Sequence, residues 1–161
     1  AACTVPEFES GDAYLARLEP DCRTREITEP VITVPPGYYD DNDPALVYRG
    51  AWTKASAIHG PDRDTRAFAK DAPASVSMAF EGGTVYYMFG KGPNYGIASV
   101  SIDGVEQKPL DQYAKDVEWL YKYRYCCFGP GRHVIVIRSS GAKNPDSSGY
   151  ALDVDSISIA N

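Results

Sequence analysis

The sequence predicts an all-β protein, a jelly-roll β-sandwich of about eight antiparallel strands with an N-terminal extension. From residue 37 onward, short segments alternate between apolar and polar residues, which is typical of strands with one buried face. Turns rich in Gly, Pro and Asn separate these segments at regular spacing, and almost no segment has a helical period. We therefore divide the chain into an extension, residues 1–36, and a sandwich domain, residues 37–161.

The middle of the chain, Thr84–Val105, carries the clearest strand pattern. Thr84–Phe89 is apolar and aromatic, and Ile97–Ile102 alternates with period two. The segment between them, Gly90–Gly96, contains too much Gly, Pro and Asn to continue either strand. Asp103-Gly104 predicts a tight turn after the second strand. We expect a β-meander with one wide loop here.

Further strands are predicted on both sides of this meander. In one of them, Val76, Met78 and Phe80 share a face that we expect to be buried. The polar region Thr53–Ala72 is interpreted as a loop. The predicted strands are Ala45–Trp52, Ala74–Phe80, Val117–Phe128, Arg132–Arg138 and Ala151–Ile159.

One predicted strand carries an aromatic stripe, with Trp119, Tyr121, Tyr123 and Tyr125 at alternate positions. Such a stripe is either part of the sandwich core or a platform on its concave face. The opposite face of the strand carries Leu120, Lys122, Arg124 and Phe128 and is the wetter of the two. We therefore expect the stripe to point inward.

The extension differs in composition from the domain. Glu7–Leu18 has a weak helical pattern, and Glu29–Pro36 is a short extended segment bounded by prolines. This segment predicts either an edge strand of its own domain or a strand donated to a neighbouring molecule. We favour a strap that packs on its own domain.

Composition excludes some partners. The chain has 161 residues and a net charge of −6, which argues against nucleic acid and anionic lipid. No run approaches the ~20 apolar residues that a membrane span needs. Tyrosine is abundant, with 12 residues, and suits half-wet strands and recognition surfaces because it pairs a ring with a hydroxyl.

The four cysteines are Cys3, Cys22, Cys126 and Cys127, and none lies in a CxxC arrangement that would predict zinc. An even count in a β-rich chain predicts disulfides and a secreted, extracellular protein. Adjacent residues of a strand point to opposite faces. One scheme therefore pairs Cys3 and Cys22 each with one of the adjacent cysteines. The other pairs Cys3 with Cys22 and leaves the adjacent two to bond between chains or with each other.

Five motifs together resemble a known module. They are YDDNDPALVYRGAW (residues 39–52), FGKGPNYGIASVSIDG (89–104), GPGRHVIVI (129–137), SGAKNPDSSG (140–149) and LDVDSISI (152–159). In this order they resemble the galactose-binding-like jelly-roll domain, similar to carbohydrate-binding modules of the family 6 and 35 type. The resemblance implies a non-catalytic module, often stabilised by calcium, that binds a glycan or cell-surface polysaccharide.

Clustered carboxylates provide oxygen ligands of the type that calcium prefers. In the modules that this chain resembles, a carboxylate on the last strand joins one near the start of the domain. The candidate ligands are therefore Asp41, Asp43, Asp153 and Asp155. The alternative is that Asp41 and Asp43 cap a turn by accepting hydrogen bonds from backbone N–H groups.

Sugar binding would use aromatic platforms and a few polar groups. Tyr95, in the wide loop beside Asn94 and Lys91, is the first candidate, and Tyr38, Tyr39 and Trp52 are others. Trp52 ends a predicted strand, and we favour a core position for it.

Catalysis is not expected. His59 and His133 are isolated, no nucleophile elbow is present, and no pair of carboxylates stands out. A second hypothesis is that the chain is a structural subunit of an extracellular assembly. Its strap would then pair with the sheet edge of a neighbour, including a copy of itself.

Overall fold

The computed structural model describes residues 30, 32–71 and 73–161. These residues form fourteen strands and one short 3₁₀-helix, Asp62–Asp64, which confirms the predicted all-β sandwich. None of the described helical structure is long and apolar enough to cross a membrane. The strands are β1 (Thr33–Val34), β2 (Gly37–Asp40), β3 (Val47–Arg49), β4 (Trp52–Ser56), β5 (Thr65–Ala69), β6 (Ser75–Glu81), β7 (Thr84–Lys91), β8 (Ile97–Ile102), β9 (Val105–Glu106), β10 (Leu110–Asp111), β11 (Glu118–Cys126), β12 (Arg132–Ser139), β13 (Leu152–Val154) and β14 (Ser156–Ala160).

The described strands form three sheets. Sheet A has the order β1-β6-β12-β8-β10, with β3 also paired to β6 and β9 to β8. Sheet B has the order β11-β7-β14-β2, and sheet C has the order β13-β5-β4. The pairing of β1 with β6 is parallel, whereas the other strand pairs are antiparallel.

Sheets A and B enclose the core between their inner faces. Sheet A contributes Met78 and Phe80, and sheet B contributes Tyr87 and Ile157, all of them fully buried. Burying a large apolar side chain of this kind contributes roughly 1.5–3 kcal/mol. The inward face predicted from the alternation in β6 is confirmed, since Val76 is also buried.

The predicted loop Thr53–Ala72 is wrong, because β4 and β5 lie within it. Half of the residues in these two strands are polar, and Thr53, Lys54 and Ser56 are exposed, which hides the strand pattern. The predicted strand Ala45–Trp52 is interrupted at Gly50, whose φ of +93° favours glycine. The last predicted strand is interrupted at Asp155, where the chain passes from sheet C to sheet B.

The aromatic stripe of β11 is split by a register shift between Glu118 and Tyr121. Leu120 is the extra residue and has a φ of +59°. Tyr121, Tyr123 and Tyr125 pair with inward-facing residues of β7. The prediction of an inward stripe therefore holds for buried Tyr125 and half-buried Tyr123, but Tyr121 is 46% exposed and Trp119 lies on the outer face.

The proline-bounded segment packs on its own domain. Thr33 and Val34 of β1 pair with Ala79 and Phe80 of β6 in the same chain, and Val34 is buried in the core. Arg132 also donates to the Thr33 hydroxyl at 3.0 Å and to the carbonyl of Pro30 at 3.1 Å.

Cys126 ends β11, and Cys127 lies beyond the strand with a φ of +75°. The N–H of Cys127 donates to the carbonyl of Gly83 at 2.9 Å. The two sulfur atoms are therefore side by side rather than on opposite faces. Cys3 and Cys22 lie outside the described residues, as does the predicted helix Glu7–Leu18, so the disulfide scheme remains a prediction.

Candidate functional site

The outer face of sheet B presents two tyrosine rings to solvent. Tyr38 of β2 and Tyr86 of β7 both pair with Ser158 of β14, one from each side. Tyr87 and Ile157 alternate with these residues and are fully buried, so Tyr38, Ser158 and Tyr86 point away from the core. All three are half-buried. We call this surface the tyrosine face.

Basic side chains lie at both ends of the tyrosine face. The guanidinium of Arg63 lies over the Tyr38 ring, 4.4 Å from its centroid. The ammonium of Lys122 lies 5.9 Å from the centroid of the Tyr86 ring. Arg124, which pairs with Tyr86, is exposed on the same face. These groups can donate to hydroxyl or acidic oxygens of a ligand.

The Tyr38 hydroxyl is fixed by carboxylates. It donates to the carboxylate of Asp62 and lies 3.1 Å from Oδ1 of Asp40. Burial and the hydrogen bond to Asp62 raise the pKa of Tyr38 well above its ordinary value of 10.0. The ring is thus a neutral, oriented platform at any physiological pH.

Trp119 forms the next aromatic position at the edge of this face. A Cβ atom added to Gly90 would lie 2.8 Å from the indole ring, and one added to Gly60 would lie 2.1 Å from its Cδ1 atom. The indole therefore bridges sheet B and the loop that precedes the 3₁₀-helix. The guanidinium of Arg66 lies 5.0 Å from its centroid.

A buried ion pair lies beneath Trp119. Nη1 of Arg66 donates to Oδ1 of Asp153 at 2.8 Å, and the N–H of Gly90 donates to Oδ2 at 2.6 Å. Arg66 also contacts the hydroxyl of Tyr95. Burial raises the pKa of Asp153 to about 6, against the opposing effect of these donors. The pair fixes the junction of sheets B and C.

A second carboxylate ties the loop to sheet B. The N–H of Asp62 donates to Oδ2 of Asp155 at 3.0 Å, and Asp155 is fully buried. Burial is the main reason that the pKa of Asp155 is raised to about 7. This contact fixes the position of Asp62, which in turn holds Tyr38.

The sugar-binding residues predicted from the sequence do not come together. Tyr95 is only 5% exposed, so it presents no open platform, whereas Asn94 is exposed in the loop beside it. Lys91 lies over the ring of Tyr121, at 4.4 Å from its centroid.

Of the three aromatic candidates nearer the N-terminus, Tyr38 lies on the tyrosine face, whereas Tyr39 and Trp52 pack against the core. The hydroxyl of Tyr39 donates to the carbonyl of Pro35. The Trp52 indole donates to the carbonyl of Arg49 at 2.9 Å and meets Tyr48 edge to face. Both residues therefore have structural contacts away from the tyrosine face.

The four predicted metal ligands do not converge either. Among the described residues, no group of three or more His, Cys, Asp or Glu side chains could hold a metal ion. Oδ1 of Asp43 accepts from the N–H of Ala45 at 2.9 Å, which is the turn cap of the alternative interpretation. Asp153 is paired with Arg66.

Asp41 and Asp155 are adjacent, since the N–H of Asp41 donates to the carbonyl of Asp155 at 2.9 Å. Oδ1 of Asp41 accepts from the Thr65 hydroxyl at 2.7 Å, and the ammonium of Lys54 lies 3.6 Å from Oδ2. Oδ2 of Asp41 and Oδ1 of Asp155 are buried without a hydrogen-bond partner. These two oxygens are the part of the predicted set that fits a cation.

Tyr86 was not identified as a ligand candidate from the sequence, and Trp119 was predicted to point inward with the rest of the aromatic stripe. One signal was present in the last strand, where Ser156 and Ser158 alternate with Ile157 and Ile159 and mark a polar outer face. The neighbours of that face depend on strand order, which the sequence does not contain.

Comparison with known proteins gives the fold. No family model matches the chain, and no curated protein matches it. Among solved structures, a xanthan lyase from Paenibacillus matches with a TM-score of 0.60, 19% identity and coverage of 83% of this chain and 14% of the lyase. A two-domain esterase active on acetylated mannans, crystallised with mannopentaose, matches with a TM-score of 0.59 and 14% identity. The match covers 77% of this chain and 36% of the esterase.

An exo-β-1,3-galactanase from Phanerochaete chrysosporium with bound β-1,3-galactotriose matches with a TM-score of 0.53 and 20% identity. The match covers 76% of this chain and 28% of the galactanase. The chain thus spans 14–36% of the length of these three proteins. Its fold is that of a β-sandwich that occurs as one part of carbohydrate-active enzymes.

Proposed function

We propose that this chain is a non-catalytic, secreted carbohydrate-binding module of the galactose-binding-like type, with the family 6 and 35 modules as its nearest functional analogues. The observation that carries the proposal is the tyrosine face, where Tyr38 and Tyr86 flank Ser158. The presence of this fold in proteins that act on glycans supports it.

The dimensions of the face suit an extended saccharide. Two strand spacings separate Tyr38 from Tyr86, about 9.6 Å. Flat rings give apolar contact to the faces of sugar rings, while polar groups between them bind hydroxyls. Ser158, Arg63 and Lys122 are in place for that role. The sugar would lie across the strands, with one ring contact at each tyrosine.

The non-catalytic part of the proposal rests on the carboxylates beside this face. The Tyr38 hydroxyl engages both Asp62 and Asp40. A glycosidase needs one carboxyl group to donate a proton and a second one free to act as base or nucleophile. Carboxylates that orient an aromatic platform do not provide such a pair.

Calorimetric titration of the full chain with β-1,3-galactotriose and mannopentaose, after a glycan array, tests the proposal. We expect saturable binding that weakens about 2- to 13-fold in Tyr86→Ala, since an aromatic contact is worth about 0.5–1.5 kcal/mol. Tyr150→Ala, at an exposed tyrosine outside sheet B, is the matched control. Unchanged affinity in a folded Tyr86→Ala protein would overturn the proposed site. Product accumulation in the same mixtures would overturn the non-catalytic assignment.

Calcium remains a proposal with a narrower set of ligands. We propose that a calcium ion would bind at the unpartnered oxygens of Asp41 and Asp155, with Lys54 displaced from Asp41. Buried carboxylate oxygens without partners are costly, and a bound cation is one way to satisfy them.

Self-association remains the second candidate. Thr33 and Val34 of the strap pair with β6 of the same chain, so we propose a different edge for contact with a neighbour. The edge strand β11 is the better basis, because it exposes Leu120 and Tyr121 at 51% and 46%. Native mass spectrometry of the wild-type chain and of Leu120→Lys tests it, and a wild-type monomer at high concentration would exclude it.

A further inference from the structure

The outer face of sheet A carries a row of polar side chains on the side of the sandwich opposite the tyrosine face. Arg49 of β3 and Arg138 of β12 both pair with Ser75 of β6, one from each side. Val76, the next residue of β6, is buried in the core, so this row points outward. Two arginine residues thus flank one serine in the strand register, in a protein of net charge −6.

A cavity of about 290 Å³ lies at this row. Both arginines, Ser75 and Ser139 line it, together with Gly50, Pro73 and Ala74. Gly50 has a φ of +93°, and a Cβ atom there would collide with the carbonyl of Pro73. The cavity wall therefore depends on this close approach.

The wall is also fixed from the β12 side. The N–H of Ser139 donates to the carbonyl of Ala74 at 2.9 Å, and the N–H of Ala74 donates to the Ser139 hydroxyl at 3.1 Å. The shape is consequently set by backbone contacts, which preorganise the space.

The two arginines differ in their partners. Nη2 of Arg138 is paired with the carboxylate of Glu106, which also accepts from the Ser99 hydroxyl at 2.9 Å. Nε of Arg49 is buried and has no hydrogen-bond partner. Among the described residues, no carboxylate forms an ion pair with Arg49. A buried N–H on a permanent cation is costly unless an acceptor satisfies it.

We propose that this cavity binds a compact oxyanion, the carboxylate group of an acidic saccharide, between Arg49 and Arg138. A planar guanidinium matches such groups, since its N–H donors can bind two oxygens at once. The choice of a saccharide rests on the proposed function, whereas the oxyanion contact uses different residues on the opposite sheet.

The test is an NMR titration of the full-length ¹⁵N-labelled protein with glucuronate and with inorganic sulfate. Glucose and sodium chloride of matched ionic strength serve as controls. We expect saturable shifts of the Arg49 Nε–H and of the amides of Gly50, Ser75 and Ser139. Saturation with glucuronate supports an acidic saccharide, whereas saturation with sulfate alone assigns the site to a free inorganic anion and overturns the saccharide source.

Variants distinguish anion binding at this cavity from non-specific attraction of anions to basic side chains. Arg49→Gln should weaken binding about 10-fold or more, as expected for the loss of a hydrogen bond to a charged group. Arg138→Gln, at a more exposed position, should weaken it as well and serves as the second variant if Arg49→Gln does not fold. Lys115→Gln, at an exposed lysine between β10 and β11, is the control and should bind as the wild type does. Equal binding by Arg49→Gln, Arg138→Gln and the wild type, or no saturable shift, would overturn the proposal.

Discussion

The indole ring of Trp119 packs directly against Gly90 and occupies the space that a side chain at position 90 would fill. A Cβ atom on Gly90 would be 2.8 Å from Cε3 and Cζ3 of the indole, and 3.2 Å from Oδ2 of Asp153. Gly90 thus allows one residue to support both the aromatic edge of the tyrosine face and the buried ion pair beneath it.

Gly90→Ala should therefore destabilise the protein and move Trp119. Overpacking of this kind costs about 1–3 kcal/mol. At this chain length each kcal/mol corresponds to about 2–4 °C in Tm. Thermal unfolding measures the loss, and tryptophan fluorescence in a Trp52→Phe background reports the environment of Trp119 alone.

Gly129→Ala is the matched control, because a Cβ atom at Gly129 meets nothing within 4 Å. Its stability should stay within about 0.5 kcal/mol of the wild type. If Gly90→Ala behaved in the same way, the packing of Trp119 on Gly90 would not be a constraint on the fold.

The core was largely predictable from the sequence, whereas the tyrosine face was not. Alternation identified the buried face of β6 because that pattern is local. Tyr38 and Tyr86 become neighbours only through Ser158, far along the chain, so their proximity depends on strand order. Pairing across such distances leaves no local pattern.

The bulge at Leu120 explains the error at Trp119. One extra residue in a strand moves every side chain beyond it to the opposite face. Period-two counting from Tyr125 places Trp119 inside, but the register shift places it outside. Nothing in the residue types around Leu120 marks the bulge.

His133 should make stability depend on pH. Its Nδ1 lies 2.6 Å from Oδ2 of Asp103, and its Nε2 lies 2.6 Å from the carbonyl of Gly129. Because both partners are acceptors, both nitrogens must carry a proton. The hydrogen bond to Asp103 is the main reason that the pKa of His133 is raised above 6.5.

A raised histidine pKa contributes stability that is complete below pH 6.5 and is lost as pH rises through the folded-state value. We expect urea unfolding to show a loss of about 1 kcal/mol between about pH 5.5 and pH 8.5. His133→Gln should lack this part of the slope, while His59→Gln, at an exposed histidine, should retain it. Identical slopes in the wild type and His133→Gln would contradict this assignment.

Calcium should raise the Tm of the wild type, and Asp155→Asn should abolish that rise. A ligand that binds only the native state at 100 times its Kd stabilises by about 2.7 kcal/mol. Asp146→Asn, at an exposed loop carboxylate, is the control and should respond as the wild type does. If the Tm of the wild type were the same in calcium and in EDTA, the calcium proposal would be wrong. The ammonium of Lys54 would then be the cation that pairs with Asp41.

Trypsin should release Cys126 and Cys127 in one peptide, Tyr125–Arg132, because cleavage follows Arg124 and Arg132. The adjacent sulfur atoms predict that this peptide, isolated without reductant, is lighter by two hydrogen atoms than after reduction. Cys3 and Cys22 would then be left to pair with each other. A cross-linked species joining this peptide to one that contains Cys3 or Cys22 would instead support the other scheme. In that case, the extension would be covalently tied to the end of β11.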